Sequence, residues 1–487
     1  MSAEKQIKNN KIATGESLYS YGGNINKTAR FYVISDVVAM FAGFAVAFLL
    51  ALVFNSLFME RGDVFLANTY SISQIASFII VSGGIVAWFA SSGHYRVPMP
   101  FWMEVQKIVA ALGFAMLLDG FLQFVTKQDM SRIFIISGWL LSAAFVIGFR
   151  YLVRKFSLKR GSFYIPTLVV GSGVAAENIK QALEQSGELG YKVVAQINNL
   201  PEVFLQSGRS WKNICESYEV DHVIIAMDSH DFSGTEKIME KLNREDISFS
   251  FVPSVQGLPV SGMSYQYFIN NNTALLTMDK VAGRNFQQFI KRAVDVFISG
   301  LALILLSPLM LVVSLFIKLD GGNVFFGHNR IGREGKVFPC LKFRSMVING
   351  DEILKKHLEN SSQARAEWEA TQKLKDDPRV TKIGKFLRAT SLDELPQLIN
   401  VLRGDMSLVG PRPIVKNEIK HYDKAIAYYK KVRPGVTGLW QVSGRSDVSY
   451  GQRVQMDSWY VKNWSLWHDI VIMLKTFPAV IKRSGAY

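Results

Sequence analysis

The sequence has few cysteines and comparatively few acidic residues. Its 487 residues include two cysteines, Cys215 and Cys340, which lie far apart without the CxxC or Cys/His spacing of a metal site. This argues against a disulfide scaffold and a structural zinc site. Asp and Glu number 40 against 55 Lys and Arg, which leaves a net charge of +15, while 49% of the residues are hydrophobic. This composition excludes a disordered chain and disfavours an ordinary cytosolic enzyme.

The N-terminal segment lacks the short apolar core and small-residue cleavage site of a removable signal peptide. We therefore expect residues 1–30 to stay on the mature protein as a cytoplasmic segment. The whole chain is long enough for about three domains, so more than one functional part is expected.

Four long apolar runs follow this segment, each near the ~20 residues needed to cross a bilayer. The runs cover residues 31–54, 75–91, 106–125 and 133–153 of a membrane region predicted over 31–160, and the second run is marginal in length. Five basic residues precede the first run and five close the fourth, between Arg150 and Arg160, whereas the loop 55–74 contains only Arg61 as a basic residue. Because basic flanks are retained in the cytoplasm, both ends of this region are predicted to be cytoplasmic. The alternative is a set of buried helices in a large soluble protein.

Residues 161–280 have the pattern of a small Rossmann-like α/β domain. Short β-rich runs alternate with polar helical stretches, as in a parallel sheet. These runs cover residues 164–170, 191–197, 221–226 and 248–252. Gly171 and Gly173, in GSGVAA, follow the first run where a phosphate-binding turn would lie. No acidic residue closes the second run, where Asn198 and Asn199 stand. The glycines therefore either make only a strand-to-helix turn or hold a nucleotide-like ligand.

Residues 296–317 form a fifth apolar run, whose length alone suggests another crossing. A crossing would place the α/β domain and the C-terminal segment on opposite sides of the membrane, although both flanks are basic. Ser307 and Pro308 lie near the middle of the run, and proline kinks a helix. We predict a re-entrant helix over 291–318 that breaks at Ser307 and Pro308 and returns. A kinked full span is the alternative.

Residues 281–487 are predicted to form a C-terminal catalytic domain that includes this helix, and from Gly321 onward the sequence is dense in arginine, lysine and glycine. The densest motifs are GHNRIGREGKVFPCLKFRSM (327–346), DPRVTKIGKFLR (377–388), TSLDELPQLINVLRGDMSLVGPRP (390–413) and RPGVTGLWQVSGRS (433–446). Arginine next to glycine or proline holds a guanidinium on a rigid turn that phosphate oxygens can approach. Each arginine alone could be a solvated surface residue, but their repeated placement beside turns favours phosphate binding. The scattered pattern is not a nucleic-acid stripe, so no nucleic acid is expected as a partner.

The motifs TSLDELPQLINVLRGDMSLVGPRP, KFRSM and PGVTGLWQVSGR resemble the bacterial polyprenyl-phosphate hexose-1-phosphate transferases, membrane enzymes that start glycan assembly. The resemblance extends to the four spans and the α/β domain of the large family members. GHNRIGREGKVFPC, DSWYVKNWSLW and the terminal SGAY are most similar to the undecaprenyl-phosphate galactose phosphotransferases. The resemblance implies a UDP-hexose and undecaprenyl phosphate as substrates, Mg²⁺ as cofactor, and a catalytic domain on the cytoplasmic face of the bacterial inner membrane. It also implies a role in O-antigen, capsule or exopolysaccharide synthesis.

Asp393 is the predicted catalytic residue. Ser391 and Glu394 have the spacing of a capping box, which would place Asp393 in the first turn of a helix. Unpaired N–H groups there favour a carboxylate and a bound phosphate alike. A carboxylate can attack a phosphoryl group, and in the family the corresponding aspartate is the nucleophile. A purely structural helix cap is the alternative.

The remaining candidates would handle charge. Glu394 is the nearest ligand for Mg²⁺, which proteins commonly hold with one or two carboxylates and substrate oxygens. Asp469 matches another acidic position of the family's functional set, with a helix cap as the alternative. Arg330 and Arg412 match functional arginines of the family and would clamp phosphate. Weaker phosphate-binding candidates are Lys342, Arg379 and Arg388.

Two other functions remain open at this point. A nucleotide-sugar dehydratase or epimerase needs a tyrosine and a lysine four residues apart after the glycine loop, but the pair Tyr151 and Lys155 precedes it. A membrane scaffold or chain-length regulator would need neither Asp393 nor the arginine-rich turns. Within the transferase hypothesis, galactose is expected first and glucose second. The oligomeric state is open, with a homodimer as one alternative.

Overall fold

The computed structural model of the protein describes most of the chain. The described residues are 22–58, 72–95, 99–127, 132–160, 164–185, 190–198, 210–227, 235–252, 263–268, 273–278, 284–319, 321–371, 374, 377–443 and 449–481. The chain divides into two compact units, Met1–Gln256 and Gly257–Tyr487. The first unit holds apolar helices and a parallel sheet, and the second holds the arginine-rich motifs.

Four apolar helices begin the first unit, as the sequence predicts. They are α1 (Gly22–Phe58), α2 (Ile72–Ser91), α3 (Phe101–Val125) and α4 (Arg132–Lys159). By length and composition α1, α3 and α4 could each cross a membrane, whereas the apolar part of α2, Ala76–Ser91, is shorter. The second run is therefore the marginal one, also as predicted.

Buried charges connect these helices at one end of the bundle. Arg150, near the end of α4, donates to Asp36 of α1 at 2.9 Å and to Glu104 of α3 at 2.8 Å. Arg154 donates to Glu104 at 2.6 Å, and the Tyr95 hydroxyl donates to Asp36 at 2.8 Å. Asp36 of α1 pairs with Arg150 of α4, and the Met40 carbonyl, four residues after Asp36, accepts from Ser142, eight residues before Arg150. The two helices are therefore antiparallel, so the start of α1 and the end of α4 lie at the same end of the bundle. This is the relative arrangement that the basic flanks predict.

The α/β part of the first unit contains a four-stranded parallel sheet in the order β2-β1-β3-β4. Its elements are β1 (Ile165–Val170), α5 (Val174–Gln185), β2 (Tyr191–Ile197), α6 (Trp211–Tyr218), β3 (His222–Ile225), α7 (Thr235–Arg244) and β4 (Phe249–Phe251). Every residue of β1 is buried, because apolar clusters cover both faces of the sheet. The four predicted strands are confirmed.

Close packing alone explains why glycine stands in the turn after β1. Gly171 has a φ of +140°, and a Cβ atom built there would lie 1.8 Å from the Ala226 carbonyl oxygen. Glycine is the residue that accepts such a conformation and such a close approach. The geometry therefore favours the structural interpretation of this turn, since close packing between the ends of β1 and β3 requires glycine without any ligand.

The second unit is built on two antiparallel hairpins and a long helix, followed by shorter helices. The first hairpin is β5 (Met263–Phe268) with β6 (Thr273–Met278), the long helix is α8 (Arg284–Leu319), and the second hairpin is β7 (Phe325–Ile331) with β8 (Val337–Phe343). The elements that follow are α9 (Gly350–Asn360), α10 (Ser362–Thr371), α11 (Lys382–Thr390), α12 (Gln397–Arg403), β9 (Ser407–Val409), α13 (Ile419–Tyr422), α14 (Ile426–Tyr429), β10 (Gly435–Thr437), α15 (Leu439–Ser443), α16 (Tyr450–Lys462) and α17 (Leu466–Ile481). The sequence predicts a domain boundary near residue 281, whereas this unit begins at Gly257 and includes the β5–β6 hairpin.

Helix α8 continues through Ser307 and Pro308, so the predicted break does not end the helix. Pro308 has no N–H to donate to the carbonyl of Ile304, one turn earlier. The Ser307 hydroxyl donates to that carbonyl instead, at 2.7 Å. The serine thus satisfies the acceptor that the proline leaves open, which lets the helix tolerate the proline in apolar surroundings. The re-entrant path itself stays a prediction.

Both ends of α8 are attached to the second unit. Near its start, Arg292 donates to the Val401 carbonyl at 2.7 Å, and Asp295 accepts from the Ser407 hydroxyl at 2.8 Å. Near its end, Ile317 is buried in a cluster with Phe343 and Leu387. In between, the large side chains Phe297, Ile304, Leu305 and Leu315 are exposed. One unit therefore holds the two ends of an apolar helix whose middle is uncovered.

Candidate active site

Asp393 lies in a tight turn between two helices of the second unit. Helix α11 ends at Thr390, and the next residue, Ser391, has a left-handed φ of 57°. A single 3₁₀ turn, Leu392–Glu394, then leads into α12. The predicted capping box is wrong, because Ser391 makes no capping hydrogen bond with its side chain. A capping serine needs an extended backbone, whereas Ser391 reverses the chain direction after α11. Asp393 is buried by this reversal, and Glu394 stays partly exposed.

Lys342 provides the counter-charge for both carboxylates. It lies on β8, and its Nζ is 2.7 Å from Glu394 Oε1 and 3.5 Å from Asp393 Oδ2. Burial raises the pKa of Asp393, and the Lys342 charge opposes that rise. Burial also disfavours the charged form of Lys342, but the two carboxylates outweigh it and the Lys342 pKa is raised. The pair therefore combines a poorly solvated carboxylate with a cation that favours its ionised form.

Three arginines bring further positive charge to this group. Arg330 on β7 is half-buried and donates to the Pro413 carbonyl at 3.2 Å, next to the exposed Arg412. Burial, and then the charge of Arg412, lower the pKa of Arg330. Arg388 donates to the Ser345 hydroxyl at 3.0 Å, and its charge also acts on Asp393. The site thus combines a nucleophile candidate with several phosphate-binding candidates from three of the motifs. These residues, called the Asp393 group below, are Asp393, Glu394, Lys342, Arg330, Arg388 and Arg412.

Two predicted site residues lie elsewhere. Arg379 is engaged by Asp377 in a two-pronged ion pair of 2.8 and 2.6 Å. Its role as a phosphate clamp is therefore weakly supported, because a local carboxylate already neutralises it. Asp469 accepts hydrogen bonds from Lys291 at 2.6 Å, Tyr460 at 2.7 Å and Trp464 at 3.0 Å, none of which belongs to the Asp393 group. Its observed contacts link the start of α8 to α17.

The carboxylates of the site suit a magnesium ion whose remaining ligands would come from the substrate. Within the described residues, no group of three or more His, Cys, Asp and Glu side chains could hold a metal. Asp393 and Glu394 provide two adjacent carboxylates, and Glu394 is accessible. Mg²⁺ commonly takes one or two carboxylates and completes its shell with water and phosphate oxygens. Two adjacent carboxylates that a diphosphate can reach match this coordination.

Comparisons with known proteins agree with this site. The family model described as bacterial sugar transferase matches residues 286–483, the segment that contains every residue of the Asp393 group. A relative from Salmonella typhimurium, named undecaprenyl-phosphate galactose phosphotransferase, is 39% identical over 94% of this chain and 97% of its own. The chain belongs to the bacterial sugar transferase family. The resemblance drawn from the motifs is thereby confirmed.

Two further relatives show which parts of the transferase are shared. A protein from Klebsiella pneumoniae, named UDP-glucose:undecaprenyl-phosphate glucose-1-phosphate transferase, is 29% identical over 93% of this chain and 95% of its own. The exopolysaccharide production protein ExoY of Sinorhizobium fredii is 56% identical over 198 residues, which are 40% of this chain and 88% of its own. Nearly all of that relative is therefore matched by less than half of this chain.

The α/β part of the transferase also has a match of its own. A family model described as CoA-binding domain covers residues 90–253, which agrees with the predicted Rossmann-like class. The dehydratase or epimerase alternative finds no support in the geometry. Tyr151 and Lys155 lie on the apolar helix α4, where the Lys155 ammonium lies 5.9 Å from the centre of the Tyr151 ring.

Sequence reasoning missed Asn400, which joins strand β8 to helix α12. The side chain is fully buried on α12. Its Nδ2 donates to the Pro339 carbonyl at 2.9 Å, and its Oδ1 accepts from the Leu341 N–H at 2.9 Å. Asn400 thus fixes β8, which carries Lys342, against the helix that follows Asp393. An amide within the apolar stretch LPQLINVL was the available signal.

Replacing Asn400 by alanine should destabilise the second unit by about 2 kcal/mol or more, because two buried backbone groups lose their partners. For a unit of about 200 residues this corresponds to a fall of roughly 4 to 8 °C in the midpoint of thermal unfolding. The measurement is thermal unfolding of the purified transferase in detergent, with the exposed Asn417→Ala as the matched control. Equal midpoints for the two variants would contradict the assigned role.

Proposed function

We propose that the transferase moves galactose-1-phosphate from UDP-galactose to undecaprenyl phosphate and releases UMP. It would do so on the cytoplasmic face of the bacterial inner membrane, as the first membrane step of O-antigen, capsule or exopolysaccharide synthesis. The observation that carries this proposal is the buried Asp393 carboxylate beside Lys342, set among arginines from the family motifs. The name of the 39% identical relative supports galactose. Glucose is the alternative sugar.

The proposed transfer has two displacement steps. In the first, an Asp393 carboxylate oxygen attacks the phosphorus that bears the sugar, the bond to UMP breaks, and UMP leaves as its anion. In the second, a phosphate oxygen of undecaprenyl phosphate attacks the same phosphorus and releases the carboxylate. Two steps suit the substrates, because the donor is soluble while the acceptor is held in lipid.

The neighbouring residues would stabilise the charge that develops in both steps. Lys342 would favour the ionised form of Asp393, and burial leaves that carboxylate poorly solvated, which makes it a better nucleophile. Arg330, Arg388 and Arg412 would bind the phosphate oxygens with fixed guanidiniums. Glu394 would hold Mg²⁺ together with the substrate diphosphate, and the bound ion would supply charge neutralisation there.

The sugar and the two-step order are tested together. Purified transferase is incubated with labelled UDP-galactose and Mg²⁺ but no lipid acceptor. We expect one equivalent of UMP and a phospho-galactose adduct on the protein. Absence of the adduct, with product appearing only when the lipid is present, would refute the covalent step. An adduct from UDP-glucose alone would retain the mechanism and change the sugar.

The attachment of both ends of α8 to one unit favours the re-entrant path over a full crossing. A fully crossing helix would place its ends on opposite sides of a hydrocarbon layer about 30 Å thick. The second unit would then have to contact both membrane surfaces through its bonds to Arg292 and Ile317. We infer that α8 enters one leaflet, bends near Pro308 and returns to the cytoplasmic side.

Cysteine labelling tests this path in intact cells. We expect Gln288→Cys and Asn323→Cys both to resist a membrane-impermeant maleimide and both to react after the membrane is opened. The native Cys215 and Cys340 are buried, which keeps the background low. Asn68→Cys, in the loop predicted to be external, is the positive control. Labelling of one α8 flank in intact cells, without the other, would show a crossing.

A further inference from the structure

A cationic pocket lies in the second unit at the start of α8. It encloses about 200 Å³ and is bounded by α8, β9, α16 and the segment 431–433. The charged side chains that line it are Lys291, Arg292, Asp295, Arg333, Lys431 and Arg433. Five cations thus surround a space with one carboxylate. Such a lining selects an anion, and the volume admits a phosphate with its ester groups.

The positive charges in this pocket repel one another. Burial and then the charges of Arg292 and Arg333 lower the pKa of Arg433. Arg433 is held there by a hydrogen bond from its Nε to the Gly404 carbonyl at 2.8 Å, so it cannot easily move away. Arg333 is only loosely paired, with its Nε 3.4 Å from an exposed Glu334 carboxylate. A bound anion would relieve this repulsion.

The pocket is separate from the Asp393 group. Arg292 binds the carbonyls of Val401 and Leu402 at the C-terminal end of α12, whereas Asp393 precedes the N-terminal end of that helix. The seven residues of α12 span about 10 Å. None of the Asp393 group lines the pocket. A ligand held here would therefore be distinct from the phosphate that reacts.

Apolar surfaces beside the pocket place it at the edge of the membrane. Lys291 joins α8 to Asp469 of α17 at 2.6 Å. On α17 the side chains of Ile470, Leu474 and Phe477 are exposed at helical spacing, which is typical of a helix lying in the membrane interface. Phe286 and Phe289 of α8 are exposed as well. The cations therefore lie where lipid headgroups are found.

We propose that this pocket binds the phosphate headgroup of an anionic membrane phospholipid, which holds the start of α8 to the headgroup layer. Basic pockets beside membrane helices on the cytoplasmic side are suited to such headgroups. The proposal depends on the membrane location of α8 and not on the chemistry at Asp393. An experiment that refutes lipid binding here would therefore leave the proposed reaction unaffected, and the reverse also holds.

The test is lipid-dependent thermal stability of the full chain in an uncharged detergent. Because a ligand of the folded state raises the unfolding midpoint, added phosphatidylglycerol should raise it, whereas phosphatidylcholine should not. In the double variant Arg333→Gln, Lys431→Gln the lipid concentration needed for half of the effect should rise about 100-fold, or roughly tenfold for each lost charged contact. The matched control Lys420→Gln, Lys424→Gln, which removes two exposed charges outside the pocket, should respond as wild type does.

Other outcomes would overturn the assignment. An unchanged lipid response in the pocket variant would show that the lipid binds elsewhere. If glycerol phosphate stabilised the protein as strongly as the lipid, the ligand would be a soluble phosphate. A raised KM for UDP-galactose in the pocket variant, with its lipid response intact, would assign the pocket to the nucleotide. The charge-preserving variant Arg333→Lys, Lys431→Arg should keep most of the lipid response, and a loss there as large as in the glutamine variant would refute the role of charge.

Discussion

Replacing Asp393 by asparagine should lower the transfer rate by at least about 10⁴-fold, because the amide cannot act as the nucleophile. No UMP should be released from UDP-galactose in the absence of lipid, and no adduct should form. The side chain keeps its size, so the packing of the turn and the unfolding midpoint should change little. The measurement is UMP release and protein labelling in a single-turnover experiment.

The matched control for this variant is Asp246→Asn in the α/β part. Asp246 is exposed and has a left-handed φ of 55°, a conformation that asparagine readily adopts. Its activity should equal that of wild type. A stoichiometric release of UMP by the Asp393 variant would mean that another group attacks the phosphorus, and Asp393 would then be a base or a metal ligand.

Replacing Lys342 by methionine should lower kcat/KM by about 10²- to 10³-fold, the usual effect of losing one preorganised charge contact. It should also change the pH profile. Asp393 must be ionised to attack, so activity falls as the pH drops through its pKa. Burial raises this pKa and Lys342 opposes the rise. Without the lysine the pKa rises further, and the acid limb of the profile should move to higher pH.

The pH–rate profile of UMP release distinguishes this role from simple phosphate binding. Lys382→Met, at an exposed position at the start of α11, is the charge-matched control and should leave the profile unchanged. Lys342→Arg should restore the position of the acid limb in part. A Lys342→Met variant with lower activity but an unshifted acid limb would show that Lys342 serves the substrate alone.

Periodicity and composition were sufficient to predict the four apolar helices and the parallel sheet of the first unit. The apolar runs and the β-rich runs can be recognised from the local sequence alone. For β2, the predicted first and last residues are those of the observed strand. The Asp393 turn was harder, because Ser391 and Glu394 have the same spacing in a capping box as in a chain reversal. The packing of α11 decides between a capping box and a chain reversal, and this packing cannot be deduced from the local sequence.

The role of Asp469 also depends on distant partners. Lys291 lies 178 residues away in sequence and still forms its ion pair, so no local pattern could have located it. The pairing of Arg379 with Asp377 is different, since only Pro378 separates them and the motif DPR is visible in the sequence. A local carboxylate beside a candidate phosphate-binding arginine is a signal that was available to sequence reasoning.

The Arg150 network has a consequence for the biogenesis of the protein. Asp36, which lies inside the first apolar run, is synthesised before the arginine that neutralises it, and an ionised side chain left alone in hydrocarbon costs on the order of 3 kcal/mol. A nascent chain that stops before α4 therefore carries an unpaired Asp36 carboxylate within an apolar helix. The arrival of α4 converts this unstable intermediate into a closed bundle. The unpaired charge therefore distinguishes an incomplete chain from a complete one. Membrane chaperones and proteases can recognise a helix that carries such a charge.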